Sequence, residues 1–211
     1  MKYHTLLDLP KIDYPEPSES QLGEVIFDNQ GDDRGYLRNE WLRRTGAIGQ
    51  HGQRHSLARY QRYRLGTDIL EYLLAMMPEL RPHVRDWGYQ KIYNQDADPM
   101  GAMMLTHTDG ERRGKHCIQA LWNTGGQGVK TSWWQEKGHG IERPTPMICT
   151  TSHKDMTLLE EVEFEAGSWA IFRTDLLHSV QPIQTKRTSF SVGFTNNDLY
   201  QFLIEKYAVK S

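Results

Sequence analysis

From Trp87 onward the chain changes its period. The run YQKIYN (89–94) alternates apolar and polar residues, and MMLTHTD, HCIQALWN, TSWWQ, PMICTTS, EVEF, SWAIF, LLHSVQPI and TSFSVGF follow it. Several of these short runs are parted by glycine breaks such as NTGGQG and EAG. Alternation puts successive side chains on opposite faces of a strand. Many short strands with turns between them, and no helices interleaved, close into a sandwich or barrel rather than βαβ units. The expected fold class is α+β with a mainly β core. That core is a jelly roll (a cupin-like double-stranded β-helix) with N-terminal helices on one sheet and a C-terminal helix.

The first third reads as helical. Asp68 and Glu71 have capping-box spacing, Ile69, Leu70, Leu73, Leu74 and Met77 recur at helical steps, and Pro82 closes the run. Two more helices are expected over 38–45 and 56–64. In the tail NDLYQFLIEKYA, Leu199, Phe202, Leu203 and Tyr207 fall on one helical face. A chain of 211 residues is long enough for one domain with a sizeable core. The expected division is helical support over 1–86, the β core over 87–197 and the C-terminal helix over 198–211.

Charge is close to balanced, 25 basic against 27 acidic side chains, which excludes a bulk attraction to nucleic acid or membrane. Locally it is uneven: residues 34–66 carry eight arginines and a single acid, and Arg59, Arg62 and Arg64 interleave with Tyr60 and Tyr63. Such a run suits a nucleic-acid surface, but a solvated helix face beside the acidic segment 1–33 is the favoured reading. Cys117 and Cys149 make no disulfide framework and read as buried free thiols. No 18-residue apolar stretch appears, and the opening MKYHTLLDLPKIDYPEP lacks the apolar run of a secretory signal. A soluble cytoplasmic protein with no membrane partner is expected, its oligomeric state open.

The chemistry-bearing stretch is LTHTDGERRG, where His107 and Asp109 stand two apart, so that on a strand both project to one side. SHKDM repeats the spacing with His153 and Asp155. Two imidazoles and a carboxylate on one face leave neighbouring coordination positions open, the arrangement of non-haem Fe(II) oxygenases. His178, in DLLHSVQP, is the candidate third ligand. Nine residues later comes KRTSFSVGF, in which Arg187, Ser189 and Ser191 share one strand face and Phe190, Val192 and Phe194 the other. A buried arginine is costly unless an anion meets it, and a guanidinium with a hydroxyl receives a carboxylate well.

HTD at 107–109, His178 and RTS at 187–189, with EAGSWAIF ahead of DLLHSV, together resemble the His-x-Asp … His … Arg-x-Ser pattern of the 2-oxoglutarate- and Fe(II)-dependent oxygenase superfamily. The resemblance covers roughly 87–195. It implies Fe(II) on His107, Asp109 and His178, with 2-oxoglutarate chelating that iron and O2 as the oxidant. The far carboxylate would rest on Arg187 and Ser189, and succinate and CO2 would be released. Tyr93 would set its phenol against the cosubstrate, or be a structural tyrosine. Asp109 favours hydroxylation, since halogenating members lack that carboxylate. Family topology needs several strands between the ligand pair and the distal histidine. The chain has room for them after His107, and for about two after His153, so SHKDM is expected to be a turn.

A protein side chain or small molecule is the expected substrate, with nucleobase oxidation as an alternative. A cupin-like metal enzyme without 2-oxoglutarate is a second alternative, and it has no need of Arg187 and Ser189. A lectin-like binding module is a third, with no use for the triad. Asn94 and Asn123 could touch cosubstrate or substrate, with a turn or edge role favoured; His116 and His139 read as exposed, and one of Trp133 and Trp134 as core. Arg112 and Arg113 read equally as substrate contacts or as a basic turn.

Overall fold

The computed structural model describes residues 2–29, 47–48, 54–109, 113–137 and 156–210. The helix expected over 38–45 lies outside them, as do Arg112, His139, Cys149, His153 and Asp155. The strands in chain order are β1 (His4–Leu6), β2 (Val25–Asp28), β3 (Ala47–Ile48), β4 (Arg54–His55), β5 (Arg59–Tyr63), β6 (Asp86–Tyr93) and β7 (Ala102–His107). They continue as β8 (His116–Thr124), β9 (Lys130–Glu136), β10 (Met156–Val162), β11 (Trp169–Arg173), β12 (His178–Ile183) and β13 (Lys186–Phe194). The helices are α1 (Thr67–Met76) and α2 (Asn197–Tyr207). Among the described residues no helix is long and apolar enough to cross a membrane.

Strands β6 to β13 pass back and forth between two sheets, ordered β11-β8-β13-β6 and β10-β9-β12-β7, with every pairing antiparallel. In this order the last two strands, β12 and β13, each lie between earlier ones, which is the winding of a double-stranded β-helix. The first sheet is widened to seven strands by β1 at one edge and by β5 and β2 at the other.

Alternation in β13 decides which face of the sheet is dry. Phe190, Val192 and Phe194 point outward into a cluster with Ile69, Leu70, Leu73 and Leu74 of α1 and Leu199, Tyr200 and Leu203 of α2. Arg187, Ser189 and Ser191, also buried, take the other face. The helices thus shield the sheet's back from water, and the polar face is left for the interior of the roll. Phe190 is 0% exposed in that cluster. Phe190→Ala should therefore destabilise the fold by about 3–5 kcal/mol in denaturant unfolding, through lost transfer energy and the cavity left behind.

The structure corrects the reading of the first third. Residues 59–63 form a strand, not a helix, and among the described residues of 1–86 the one α-helix is α1, joined by two short 3-10 turns. The sequence RYQRY is rich in tyrosine, and strand β6 offers it a full ladder of backbone partners. Arg59 pairs with Asp28 at 2.7 Å, so the expected meeting of basic and acidic segments does occur, on a sheet. The Asp68–Glu71 capping box does not form. Helix α1 starts after Gly66, at φ 95°, and Glu71 pairs with Arg81 at 2.7 Å instead. A side chain at Gly66 would press on the Phe190 ring, 2.9 Å from its Cβ, so glycine serves both the left-handed turn and the packing. In α2 the buried face is Leu199, Tyr200 and Leu203, and Phe202 is 42% exposed.

Candidate metal centre

Strands β7 and β12 are antiparallel neighbours, and His107 is paired in register with His178. Their ring centroids lie 4.4 Å apart. The chain leaves β7 after His107. The Asp109 backbone N–H then donates to the Thr174 carbonyl at 2.8 Å, and its carboxylate Oδ1 comes within 3.6 Å of His107 Nε2. The donor atoms of His107, Asp109 and His178 all lie within 4.8 Å of one another. The same-side projection expected of a strand is achieved by a turn at its end. Two imidazoles and one carboxylate, gathered with no fourth protein ligand among the described residues, fit a divalent metal that keeps open positions.

His178 Nδ1 stands 2.8 Å from the Leu176 carbonyl, which can only accept. Nδ1 therefore carries the proton, and Nε2 keeps its lone pair for a metal. Burial, reinforced by neighbouring His107, pushes the His178 pKa down to about 4. In the metal-free protein the His178 ring resonances should titrate near pH 4 rather than near 6.5. The unfolded chain takes up this proton at the higher pH, so His178 erodes stability as pH falls from about 6.5 toward 4. Burial would raise the Asp109 carboxyl, but Arg113, His107 and His178 outweigh it and hold it well below the usual carboxylate range. Arg113 Nη1 reaches Asp109 Oδ1 at 3.2 Å, and its guanidinium lies 5.7 Å over the Tyr60 ring. Arg113 is thus not an exposed basic turn.

The triad opens onto a cleft of about 490 Å³, mouth included, whose lining also contains Tyr60, Arg113, Thr131 and Arg187. Arg187 is 2% exposed, and its Nη2 donates to Thr131 Oγ1 at 3.1 Å. Its Nη1 is buried without a hydrogen-bond partner. Burial lowers its pKa to about 10, which leaves it charged at neutral pH. An orphaned guanidinium N–H in a cleft wall fits a ligand carboxylate. Tyr60 and Arg187 both pair with Ile92, one row across three strands, and the Tyr60 hydroxyl is likewise buried and unpartnered.

Ser189 and Tyr93 are not brought to this wall. The Ser189 hydroxyl accepts from Gln119 Nε2 at 2.6 Å, while the hydroxyl that meets Arg187 belongs to Thr131. Gln90 and Ile92 line the cleft, so Tyr93 faces the other side of β6, where its hydroxyl donates to Gln61 at 3.4 Å. Tyr60 and Thr131 were missed. No local period singles out Tyr60 in RYQRY, and cross-strand register locates both it and Thr131. His116 is buried, not exposed: its ring stacks on Tyr200 at 4.2 Å and its Nε2 meets Asn197 at 2.9 Å. Both Trp133 and Trp134 are buried, the latter with Met156 and bonded to Ser179. Asn94 and Asn123 hold turns, as expected.

No family model and no curated protein matches the chain. It is similar to 2OG-Fe(II) oxygenases of solved structure. E. coli ycfD is 14% identical, with 74% of this chain and 40% of that chain covered and a TM-score of 0.39. A Pseudomonas putida prolyl-4-hydroxylase is 18% identical, with 77% and 85% covered and a TM-score of 0.39. A 2OG-Fe(II) oxygenase family oxidoreductase from Burkholderia pseudomallei is 12% identical, with 77% and 78% covered and a TM-score of 0.39. The chain spans about two-fifths of the ycfD chain.

Proposed function

We propose that this chain is a 2-oxoglutarate- and Fe(II)-dependent oxygenase that hydroxylates a small molecule or a protein side chain, in the cytoplasm. One observation carries the reading: a His107–Asp109–His178 triad shares its cleft with a buried arginine whose Nη1 has no partner. A metal enzyme without 2-oxoglutarate would use the triad and leave that arginine unexplained. The nucleobase alternative loses its support, because Arg59 and Arg62 are taken by Asp28 and Asp86. A free buried thiol, Cys117, suits a reducing compartment.

His107, Asp109 and His178 would hold Fe(II), and Arg187 the distal carboxylate of 2-oxoglutarate. Bound together, the two supply the activation of O2, with 2-oxoglutarate leaving as succinate and CO2. His178 offers a neutral lone pair at physiological pH, and Asp109 supplies one negative charge to the site. Thr131 orients the Arg187 guanidinium, and the Tyr60 hydroxyl stands in the same row. Ile92, Phe172 and Val180 supply apolar parts of an otherwise polar cleft wall. Protein loaded anaerobically with Fe(II) should bind 2-oxoglutarate and, on admission of air, release succinate slowly even without substrate. Failure to bind iron, or binding without any succinate, sinks the reading.

A further inference from the structure

Two guanidiniums and one carboxylate line the cleft: Arg113, Arg187 and Asp109. With imidazoles neutral as metal ligands, the cleft carries one surplus positive charge. An Fe(II) dication and a 2-oxoglutarate dianion cancel each other, so the surplus survives loading. Its location changes, however. Arg187 gains a carboxylate, while Asp109, the carboxylate that Arg113 holds at 3.2 Å, is engaged by the metal. Arg113 is then the cation without a counter-charge in a site where that is costly.

Arg113 holds a different partner from Arg187, Asp109 rather than Thr131. Its backbone lies against the far end of β13, where a Cβ on Gly193 would stand 1.8 Å from the Arg113 carbonyl oxygen. Arg187 opens the same strand six residues earlier, roughly 20 Å away along the backbone. Both guanidiniums line the one cleft. Arg113 spends one N–H on Asp109 and one on the Gln90 side-chain amide, 2.5 Å from Nη2, and its half-buried side chain, 26% exposed and part of the cleft lining, keeps the other three of its five donors.

We infer that the substrate is a small organic acid whose carboxylate is received by Arg113. This rests on the oxygenase reading and adds the substrate class to it. A single surplus charge selects a monoanion over a phosphate dianion, and the small cleft, already shared with 2-oxoglutarate, selects a small molecule.

The test uses the full chain loaded anaerobically with Fe(II) and 2-oxoglutarate, whose binding is titrated first. Calorimetry then compares benzoate, benzamide and phenyl phosphate as probes. Benzoate should bind at least about 10-fold more tightly than benzamide and more tightly than phenyl phosphate, since a charge-assisted pair is worth that much. Arg113→Gln should erase the benzoate preference and Arg113→Lys should restore part of it, with 2-oxoglutarate affinity retained in both as proof of an intact cleft. A merely structural arginine would shift all probes alike. Equal binding of benzoate and benzamide, a preference that survives Arg113→Gln, or a preference for phenyl phosphate overturns the inference. If Fe(II) or 2-oxoglutarate fails to bind at the outset, the oxygenase reading itself falls and takes this inference with it.

Discussion

Asp109→Ala is expected to weaken Fe(II) binding by about a thousandfold or more, roughly 4 kcal/mol, and to remove succinate formation altogether. The substitution takes away one of three ligands. It also leaves Arg113, now without its 3.2 Å partner, facing the place where a dication must sit. The same change should cost the metal-free fold about 2 kcal/mol, less than the roughly 3–5 kcal/mol of breaking a fully buried pair from one side, because Arg113 is partly exposed. Iron titration under anaerobic conditions and denaturant unfolding of the apo-protein read the two effects separately. Asp109→Asn keeps the shape without the charge and should fall between. Wild-type iron affinity in Asp109→Ala would remove the triad from the account.

The second large effect belongs to Arg187. Arg187→Ala should lower 2-oxoglutarate affinity by about 100-fold, the scale of a lost charge-assisted bidentate contact, while Fe(II) affinity stays within a few-fold. The separation is expected because the one hydrogen bond of its guanidinium among the described residues goes to Thr131, not to a triad residue. Thr131→Val removes only the orienting hydroxyl and should cost less. Calorimetry of both ligands on each variant decides it. A parallel loss of iron and 2-oxoglutarate would mark Arg187 as a structural residue of β13.

The parts of this protein that sequence made legible are those where a local period and a local chemistry coincide. In β13 the alternation of Arg187, Ser189 and Ser191 with Phe190, Val192 and Phe194 is strict, and both faces are where it puts them. The order of His107, Asp109, His178 and Arg187 similarly foretold one cleft. What stayed hidden depends on partners distant in the chain. Residues 59–63 are a strand because β6 offers them an edge to pair with, and RYQRY has no period of two to announce it. Thr131 meets Arg187 through cross-strand register, and Arg113 turns inward because Asp109 and the bare backbone of Gly193 admit it. Tyr93 was placed one residue out of phase with the inward face of β6. On a strand, that single step moves a side chain across the sheet.

The direct pairing of His107 with His178 has a mechanical consequence. An ion held between them would tie together two strands separated by on the order of 70 residues of chain, closing a long loop as a covalent cross-link does, but removably. Metal occupancy would then be written into the melting temperature, rising with ion concentration and falling with a chelator. The rise should be steepest for openings that part β7 from β12. In that sense the centre is a clasp on the second sheet, and hydrogen exchange at Met104 and Val180, partners further along the same seam, would show it fastened or released.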